Sequence, residues 1–147
     1  MDMEECLIAP CGINCAVCVK YLAMKNEINK KGFRKSYCPG CLPRGKNCTH
    51  IQCELLIQGK VRYCYECSQF PCSRLKNLDK RYSTKYHLSV VENLNCIREQ
   101  GMKAFLKREE EKWKCQDCDG EICCHNGICF QCNLDKLRLN KRYCWED

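Results

Sequence analysis

Several common functional signatures are missing from this chain of 147 residues. No run approaches the ~18 consecutive apolar residues that a membrane-spanning helix needs, so we expect no membrane association. The acidic start and the short apolar run after it do not form a secretory leader, and we expect a cytoplasmic protein. No glycine-rich phosphate loop, His-Glu-x-x-His helix or serine triad is present, which excludes the enzyme classes that those motifs mark.

Aliphatic residues and phenylalanine are also scarce. Leucine, isoleucine, valine and phenylalanine together number 30 of 147 residues, close to the ~20% below which chains tend not to fold unaided. The apolar core is therefore thin for a chain of this length. We expect bound metal to supply part of the folding free energy, and the chain to lose structure when the metal is removed.

Cysteine, in contrast, is abundant, with 19 residues. Five Cys-x2-Cys pairs occur, at 15/18, 38/41, 64/67, 115/118 and 129/132. A disulfide framework has no need for such close pairs, whereas two thiolates on one tight turn supply half of a tetrahedral coordination sphere. The odd number of cysteines and the expected reducing compartment favour metal binding as well.

The C-terminal cysteines predict one specific site. Cys115-Gln-Asp-Cys118 is a zinc knuckle, and Gly120 after it is expected to let the backbone fold back so that amides point at sulfur. A second knuckle, Cys129-Phe-Gln-Cys132, follows a loop of ten residues. Two knuckles close one tetrahedral site, as in a short zinc ribbon. The loop between them holds three further candidates whose roles stay open, Cys123, Cys124 and His125.

Ten more cysteines are candidate metal ligands in the N-terminal part: Cys11, Cys15, Cys18, Cys38, Cys41, Cys48, Cys53, Cys64, Cys67 and Cys72. Two four-thiolate sites with two spare thiols fit this number, as do sites completed by His50 or by water. The six cysteines of the three N-terminal knuckles, together with Cys48 and Cys53, supply the eight ligands that two four-thiolate sites need. Positions 11 and 72 are then left over or complete a third site, and spacing does not fix the pairing.

Two other interpretations of the N-terminal cysteines stay open. Cys11-x3-Cys15-x2-Cys18 has the spacing that binds a [4Fe–4S] cluster in radical enzymes that use S-adenosylmethionine, although this chain lacks their large barrel and glycine-rich cofactor contacts. Cys38-Pro-Gly-Cys41 has the spacing of a thioredoxin-type redox pair, although the strand–helix–strand context of that motif is not visible. Zinc is therefore the expected cofactor, with an iron–sulfur cluster near Cys11, Cys15 and Cys18 as the alternative.

The charge pattern bears on partners. The formal net charge is +7, but twelve zinc-bound thiolates and three zinc ions would lower it to about +1. The basic excess lies in residues 1–86, where cations alternate with Tyr37, Tyr63, Tyr65 and Tyr82. Phosphate contacts with aromatic stacking would show this pattern, and so would an ordinary solvated surface. We expect nucleic-acid binding to be weak and nonspecific, and an unknown protein to be the main partner.

Helical periodicity predicts a small α-rich, metal-stabilised fold, α+β with little strand. Residues 16–31 read as one helix that Gly32 ends, and residues 72–80 read as a second helix. Ser89-Val-Val-Glu92 is a capping box for a helix that ends at Gly101. A further helix over 102–114 leads into the first C-terminal knuckle, and residues 134–139 fit a strand or a helical turn.

Three parts follow from this organisation. Residues 1–86 form an N-terminal cysteine-rich metal-binding module, residues 87–114 a helical hairpin connector, and residues 115–147 a C-terminal zinc-ribbon-like module. Sites filled by four thiolates have no open position for a catalytic water, so a catalytic role is not expected. The sequence favours a binding or adaptor module with structural metal sites, with a nucleic-acid-binding protein and an iron–sulfur or thiol redox protein as alternatives.

A family resemblance rests on several of these motifs together. Cys11-Gly-Ile-Asn-Cys15-Ala-Val-Cys18, Cys38-Pro-Gly-Cys41 and Cys64-Tyr-Glu-Cys67-Ser-Gln-Phe-Pro-Cys72 resemble a prokaryotic cysteine-rich family catalogued only as a domain of unknown function. Segments 85–94 and 113–118 also look like that family. The resemblance implies a small zinc-binding protein of bacterial or archaeal origin, and it implies no activity.

Overall fold

The computed structural model describes residues 3–43 and 53–145, and within these ranges the chain is mainly helical. The helices are α1 (Val19–Lys25), α2 (Glu54–Ile57), α3 (Ser73–Tyr86), α4 (Val90–Gln100), α5 (Met102–Lys112) and α6 (Leu134–Leu139). Extended pairing in the same ranges is limited to isolated antiparallel bridges, Ile8–Asn14, Lys114–Glu121 and Ile122–Cys129. The predicted α-rich fold with little strand is confirmed. Among the described helices, none has the length and apolar character that crossing a membrane requires.

The helix predicted over residues 16–31 is wrong in its continuity. The first knuckle forms a 3-10 turn, Cys15–Val17, and Cys18 is extended with φ −72° and ψ 142° before α1 begins. Glu27 then adopts a left-handed conformation with φ 48°, which separates α1 from a second 3-10 turn, Ile28–Lys31. All three pieces bury apolar residues, Val17 in the larger apolar cluster and Leu22 and Ile28 in the smaller one, so the apolar spacing continues across both breaks and periodicity alone did not reveal them. Gly32, with φ 94°, ends the segment as predicted.

Helices α3, α4 and α5 pack in sequence, α3 on α4 and α4 on α5. α3 continues six residues beyond its predicted end and buries Leu75, Leu78 and Tyr82. Ser89 caps α4, because its Oγ accepts a hydrogen bond of 3.1 Å from the amide of Glu92. This half of the predicted capping box is confirmed.

The carboxylate at this cap comes from α3. Asp79 Oδ1 accepts hydrogen bonds from Ser89 Oγ at 2.7 Å and from the amide of Val91 at 3.1 Å. The predicted partner was the Glu92 side chain, which lies only three residues along the sequence. Asp79 has a different role from the one predicted for Glu92, because it accepts from the Ser89 hydroxyl and the Val91 amide rather than from the Ser89 amide. Packing of α3 on α4 brings this carboxylate to the helix end, where it also complements the helix dipole.

Helix α5 connects the core to the N-terminal turn through a buried acid. Phe105 and Trp113, which directly follows α5, are both buried, and Glu109 between them is also buried. Glu109 Oε1 accepts hydrogen bonds of 3.3 Å from Trp113 Nε1 and from Asn14 Nδ2, and its Oε2 lies 3.6 Å from Arg108. A buried carboxylate needs such partners, so α5 and the turn before the first knuckle are held together.

Two apolar clusters form the core, and both cross the boundaries between the predicted modules. The larger one includes buried residues from Met3 to Cys124 and contains Trp113. The smaller one combines Val19 and Leu22 of α1 with Cys123, Ile128, Phe130 and Leu137. The division into modules 1–86, 87–114 and 115–147 stays a prediction, while in the folded chain these parts share their cores.

Gly12 lies where the N-terminal turn presses against α4. Its φ is +94°, and a Cβ atom at this position would stand 2.6 Å from the carbonyl oxygen of Val90. Its own carbonyl accepts a hydrogen bond of 2.9 Å from Asn93 Nδ2, and Asn93 Oδ1 accepts one of 2.9 Å from Arg108. Only glycine combines this conformation with this approach, so the position fixes how the first knuckle sits on α4.

We expect Gly12→Ala to lower the stability of the metal-saturated protein by about 3 kcal/mol, because backbone strain and a steric clash act together. Gly59→Ala is the matched control, since Gly59 has φ +73° and a Cβ atom added there would meet no other atom within 4 Å. The control should lose only about 1 kcal/mol. Thermal unfolding of both variants measures the difference, and equal losses would contradict the close approach to α4.

Candidate metal centre

The C-terminal loop brings two knuckles together. Cys115 follows α5 closely, and its amide donates to the carbonyl of Gly120 at 2.9 Å, which closes the first knuckle. The second knuckle closes through the amide of Asn133, which donates to the carbonyl of Cys129 at 3.2 Å just before α6. The bridges Lys114–Glu121 and Ile122–Cys129 hold the intervening loop against both. Each knuckle is thus anchored to a helix.

The sulfur atoms of Cys115, Cys118, Cys129 and Cys132 all lie within 4.8 Å of one another. The Sγ–Sγ distance is 3.7 Å between Cys115 and Cys132 and 3.5 Å between Cys118 and Cys129. A zinc–sulfur bond of ~2.3 Å in a tetrahedron requires sulfur atoms ~3.8 Å apart. The four thiols therefore have the spacing that one tetrahedral ion needs, and this cluster is a candidate metal site.

Backbone amides point at these sulfurs. The amide of Asp117 donates to Cys115 Sγ at 3.4 Å, and the amide of Gly120 donates to Cys118 Sγ at 3.3 Å. Hydrogen bonding from the Asp117 amide is the main reason that the pKa of Cys115 falls to about 7. One ligand of the cluster is thus prepared as a thiolate by the fold itself.

Two other thiols of the cluster, Cys129 and Cys132, resist ionisation beside it. The pKa of Cys132 is raised, first because its thiol shares hydrogen bonds with Cys118 and Cys115. The pKa of Cys129 is raised first by burial. Thiolates this close repel one another, so they ionise together only when a cation neutralises them. The arrangement fits a bound divalent ion better than four free thiols.

Gly120 has a different role from the predicted one. Its φ lies outside the left-handed region, so backbone freedom is not the reason for glycine here. A Cβ atom would stand 3.2 Å from Cys129 Sγ and 3.0 Å from Gln131 Oε1. The residue gives the opposite knuckle room to approach, while its amide faces Cys118. Space between the knuckles, rather than a fold-back of the chain, explains the glycine.

Cys123 and Cys124 point away from the four-thiol cluster. Both are fully buried, Cys123 in the smaller apolar cluster and Cys124 in the larger one. The amide of Cys124 donates to the carbonyl of Val17 at 2.9 Å, which ties the loop to the first N-terminal knuckle. Burial raises the pKa of Cys123 to about 12 and that of Cys124 well above its ordinary value. Both are neutral packing residues between the two ends of the chain.

His125 also lies between the C-terminal loop and the N-terminal part of the chain. The amide of Val19 donates to His125 Nδ1 at 3.2 Å, which assigns the ring proton to Nε2. Neither ring nitrogen then has a lone pair available for a metal. The ring also meets Tyr86 edge-on, with centroids 4.6 Å apart. His125 therefore docks the loop on α1 and α3.

The N-terminal cysteines divide into two groups, each around one cavity. Four of them line a cavity of about 310 Å³ together with Tyr82 and His125; they are Cys15, Cys18, Cys38 and Cys41. Four others line a cavity of about 30 Å³ with Leu56 and Leu75; they are Cys53, Cys64, Cys67 and Cys72. In residues 3–43 and 53–145, sulfur atoms within 4.8 Å of one another in groups of three or more occur in the C-terminal cluster alone.

Three of the predicted candidates stand apart from these groups. Cys11 is fully buried in the larger apolar cluster. Cys48 and His50 lie outside the described residues. Cys72, left over when cysteines are paired by spacing, lies with the Cys64–Cys67 knuckle. The short separation of four residues between Cys67 and Cys72 was the sequence signal for this grouping.

We expect Cys129→Ala to remove one metal ion per chain and Cys123→Ala to remove none. The two cysteines are six residues apart and both are buried, so the pair separates ligand loss from core disruption. Cys123→Ala should cost about 1–2 kcal/mol through its cavity. Native mass spectrometry of both variants counts the bound ions, and an unchanged count in Cys129→Ala would refute this site.

The comparison with protein families agrees with the N-terminal motifs. Residues 7–77 match the model of a family described as Protein of unknown function (DUF3795). The matched range includes the motifs from Cys11 to Cys72 and confirms the family resemblance. Segments 85–94 and 113–118 lie outside it, as does the C-terminal four-cysteine cluster. No curated protein and no solved structure matches the chain.

Proposed function

We propose that this protein is a zinc-stabilised binding or adaptor module whose metal is structural. The observation that carries the proposal is the C-terminal cluster, in which four thiols stand at the spacing of one tetrahedral ion. An ion held by four thiolates has no open position for water or substrate. Its effect is then to shape the surrounding surface rather than to perform chemistry.

Zinc is the ion that best suits this donor set. Tetrahedral coordination by four sulfurs selects zinc or iron–sulfur chemistry among biological metals. An iron–sulfur cluster places several iron atoms between its ligands and needs sulfurs further apart than the 3.5 and 3.7 Å seen at the two close pairs. Amides that point at Cys115 and Cys118 support the thiolates without occupying the metal.

A structural metal also explains how a chain with a thin apolar core can be stable. The apolar core is thin, and much of what is buried consists of cysteine side chains. A zinc ion that links α5 to α6 adds stability where aliphatic packing is limited. Thiolate ligation requires a reducing compartment, so we place the protein in the cytoplasm, where an as yet unidentified protein is the main partner.

Metal analysis and metal removal test this proposal together. Protein purified without oxygen should contain zinc and be colourless, and a strong chelator should abolish amide-exchange protection across residues 113–132. Zinc should restore the protection and magnesium should not. Stoichiometric iron with broad visible absorbance would replace zinc by an iron–sulfur or redox assignment. Protection that survives complete metal removal would overturn the structural role.

A second candidate function, nucleic-acid binding, is favoured by one surface. Helix α3 exposes five cations, and its single acid, Asp79, is held in the α4 cap. The cations are Arg74, Lys76, Lys80, Arg81 and Lys85. This basic α3 face could meet phosphates. Two of the tyrosines that alternate with basic residues, Tyr63 and Tyr82, are buried and offer no stacking surface to bases. Binding would then be electrostatic and largely independent of sequence.

We expect nucleic acid to bind with a Kd of about 10⁻⁶ M or weaker at physiological salt, and more weakly as salt rises. Reversing Arg74, Lys76, Lys80 and Arg81 to glutamate should abolish this binding. The control reverses four exposed lysines outside α3, Lys103, Lys107, Lys136 and Lys141, and makes the same change in net charge. Fluorescence anisotropy measures both. Equal losses would indicate net charge alone, and a salt-tolerant, sequence-preferring complex would make nucleic-acid binding the main function.

A further inference from the structure

We infer that Cys15, Cys18, Cys38 and Cys41 form a second all-thiolate site for a single zinc ion, built on the same plan as the C-terminal site. The inference extends the proposed function but does not depend on it, because the two sites share no ligand. It rests on how the two knuckles pair, on where backbone amides point and on the cavity between them.

The pairing of knuckles is the same at both sites. In the C-terminal site the first cysteine approaches the last, Cys115 with Cys132, and the two inner cysteines approach each other, Cys118 with Cys129. In the N-terminal group the first and last cysteines also meet, since the thiol of Cys15 hydrogen-bonds to Cys41. The inner pair, Cys18 and Cys38, lines the same cavity as Cys15 and Cys41. Two knuckles that face each other in this order enclose one tetrahedral position.

Backbone amides point at the sulfurs in the same way. In the C-terminal site the amide two residues after the second cysteine, that of Gly120, donates to Cys118. In the N-terminal group the amide of Lys20, also two residues on, hydrogen-bonds to Cys18, as does the amide of Tyr21. The amide of Cys41 contacts the sulfur of Cys15. These contacts favour thiolates and are the usual support of metal-bound cysteine.

The cavity between the knuckles has room for an ion. It measures about 310 Å³, and all four thiols line it. These four thiols do not form a mutually close cluster like that of the C-terminal site, so binding of an ion would draw them together. The two knuckles are already tied to each other, because the amide of Cys38 donates to the carbonyl of Lys20 at 3.3 Å. Closure therefore needs movement of side chains more than of the chain.

A second, independent inference concerns Cys53, Cys64, Cys67 and Cys72, which we assign to a third single-ion site. All four line one cavity of about 30 Å³, which has room for a single ion. The amide of Gln69, two residues after Cys67, donates to the Cys67 sulfur at 3.4 Å. The knuckle thus repeats the amide–sulfur contact of the other two sites, while Cys53 and Cys72 supply the remaining ligands.

Cadmium-113 NMR of the full-length protein, refolded with cadmium alone, tests both assignments. We expect three resonances in the four-thiolate range, one for each site. Cys41→Ser should remove one, Cys72→Ser a different one, and Cys129→Ala the third. Cys96→Ala is the control because Cys96 is buried in α4 and belongs to none of the three groups of four cysteines, and it should keep all three resonances. Loss of the Cys129-dependent signal alone would contradict the proposed function but leave the N-terminal assignments standing.

Thiol protection in the unmutated protein gives a measurement that does not depend on a variant folding. Alkylation followed by peptide mass spectrometry should show that zinc slows the modification of Cys15, Cys18, Cys38 and Cys41 by about tenfold or more relative to chelator-treated protein. Exposed Cys6 should react equally in both. If Cys41→Ser keeps all resonances, or zinc leaves these four thiols unprotected, the second site is refuted. A cluster of several iron atoms with inorganic sulfide on these four thiols would refute the single-ion assignment, and a single bound iron would refute zinc.

Discussion

Mutual repulsion between closely spaced thiolates is the constraint on which this structure depends. The C-terminal loop holds four sulfurs at distances where they cannot all ionise without a cation, and amide hydrogen bonds stabilise only some of them. Four neutral thiols in these positions would contribute little free energy to the closure of the loop. A divalent ion changes the sign of the interaction, because repelling groups become ligands of one centre. A bound ion would link the end of α5 to the start of α6, because Cys115 follows one helix and Cys132 precedes the other.

The contact between the C-terminal loop and the first N-terminal knuckle connects the four-thiol cluster to the rest of the fold. The amide of Cys124 bonds to the carbonyl of Val17, and the amide of Val19 bonds to His125, so the C-terminal loop lies directly on the segment that carries Cys18. Ordering of the loop thereby orders the start of α1. Buried cysteines occupy positions in both apolar clusters where other proteins use aliphatic side chains, Cys124 in the larger cluster and Cys123 in the smaller one.

The parts of the fold that could be predicted from sequence are those fixed by local chemistry. The Ser89 cap, the stop at Gly101 and the C-terminal knuckles follow from residues a few positions apart, and each is where its motif indicated. The parts that could not be predicted depend on contacts between distant segments. Asp79 reaches the α4 cap because α3 packs there, and Cys53 lines the same cavity as the Cys64–Cys67 knuckle, a pairing that spacing did not fix. The spacing of cysteines in the sequence indicates how many ligands are present, whereas the folded chain shows which of them lie together.

Surface charge likewise depends on the folded chain as well as on the sequence. A net charge of +7 treats each cysteine as neutral, yet each ion held by four thiolates changes the local charge by about −2. The cations of the basic α3 face lie on the outside of a helix whose inner side faces the core, so their position is independent of that change. Metal binding would therefore lower the long-range attraction of the whole molecule for polyanions while leaving this local patch intact. A partner that recognises the protein by its charge would have to contact the cations of α3 rather than respond to the net charge of the whole molecule.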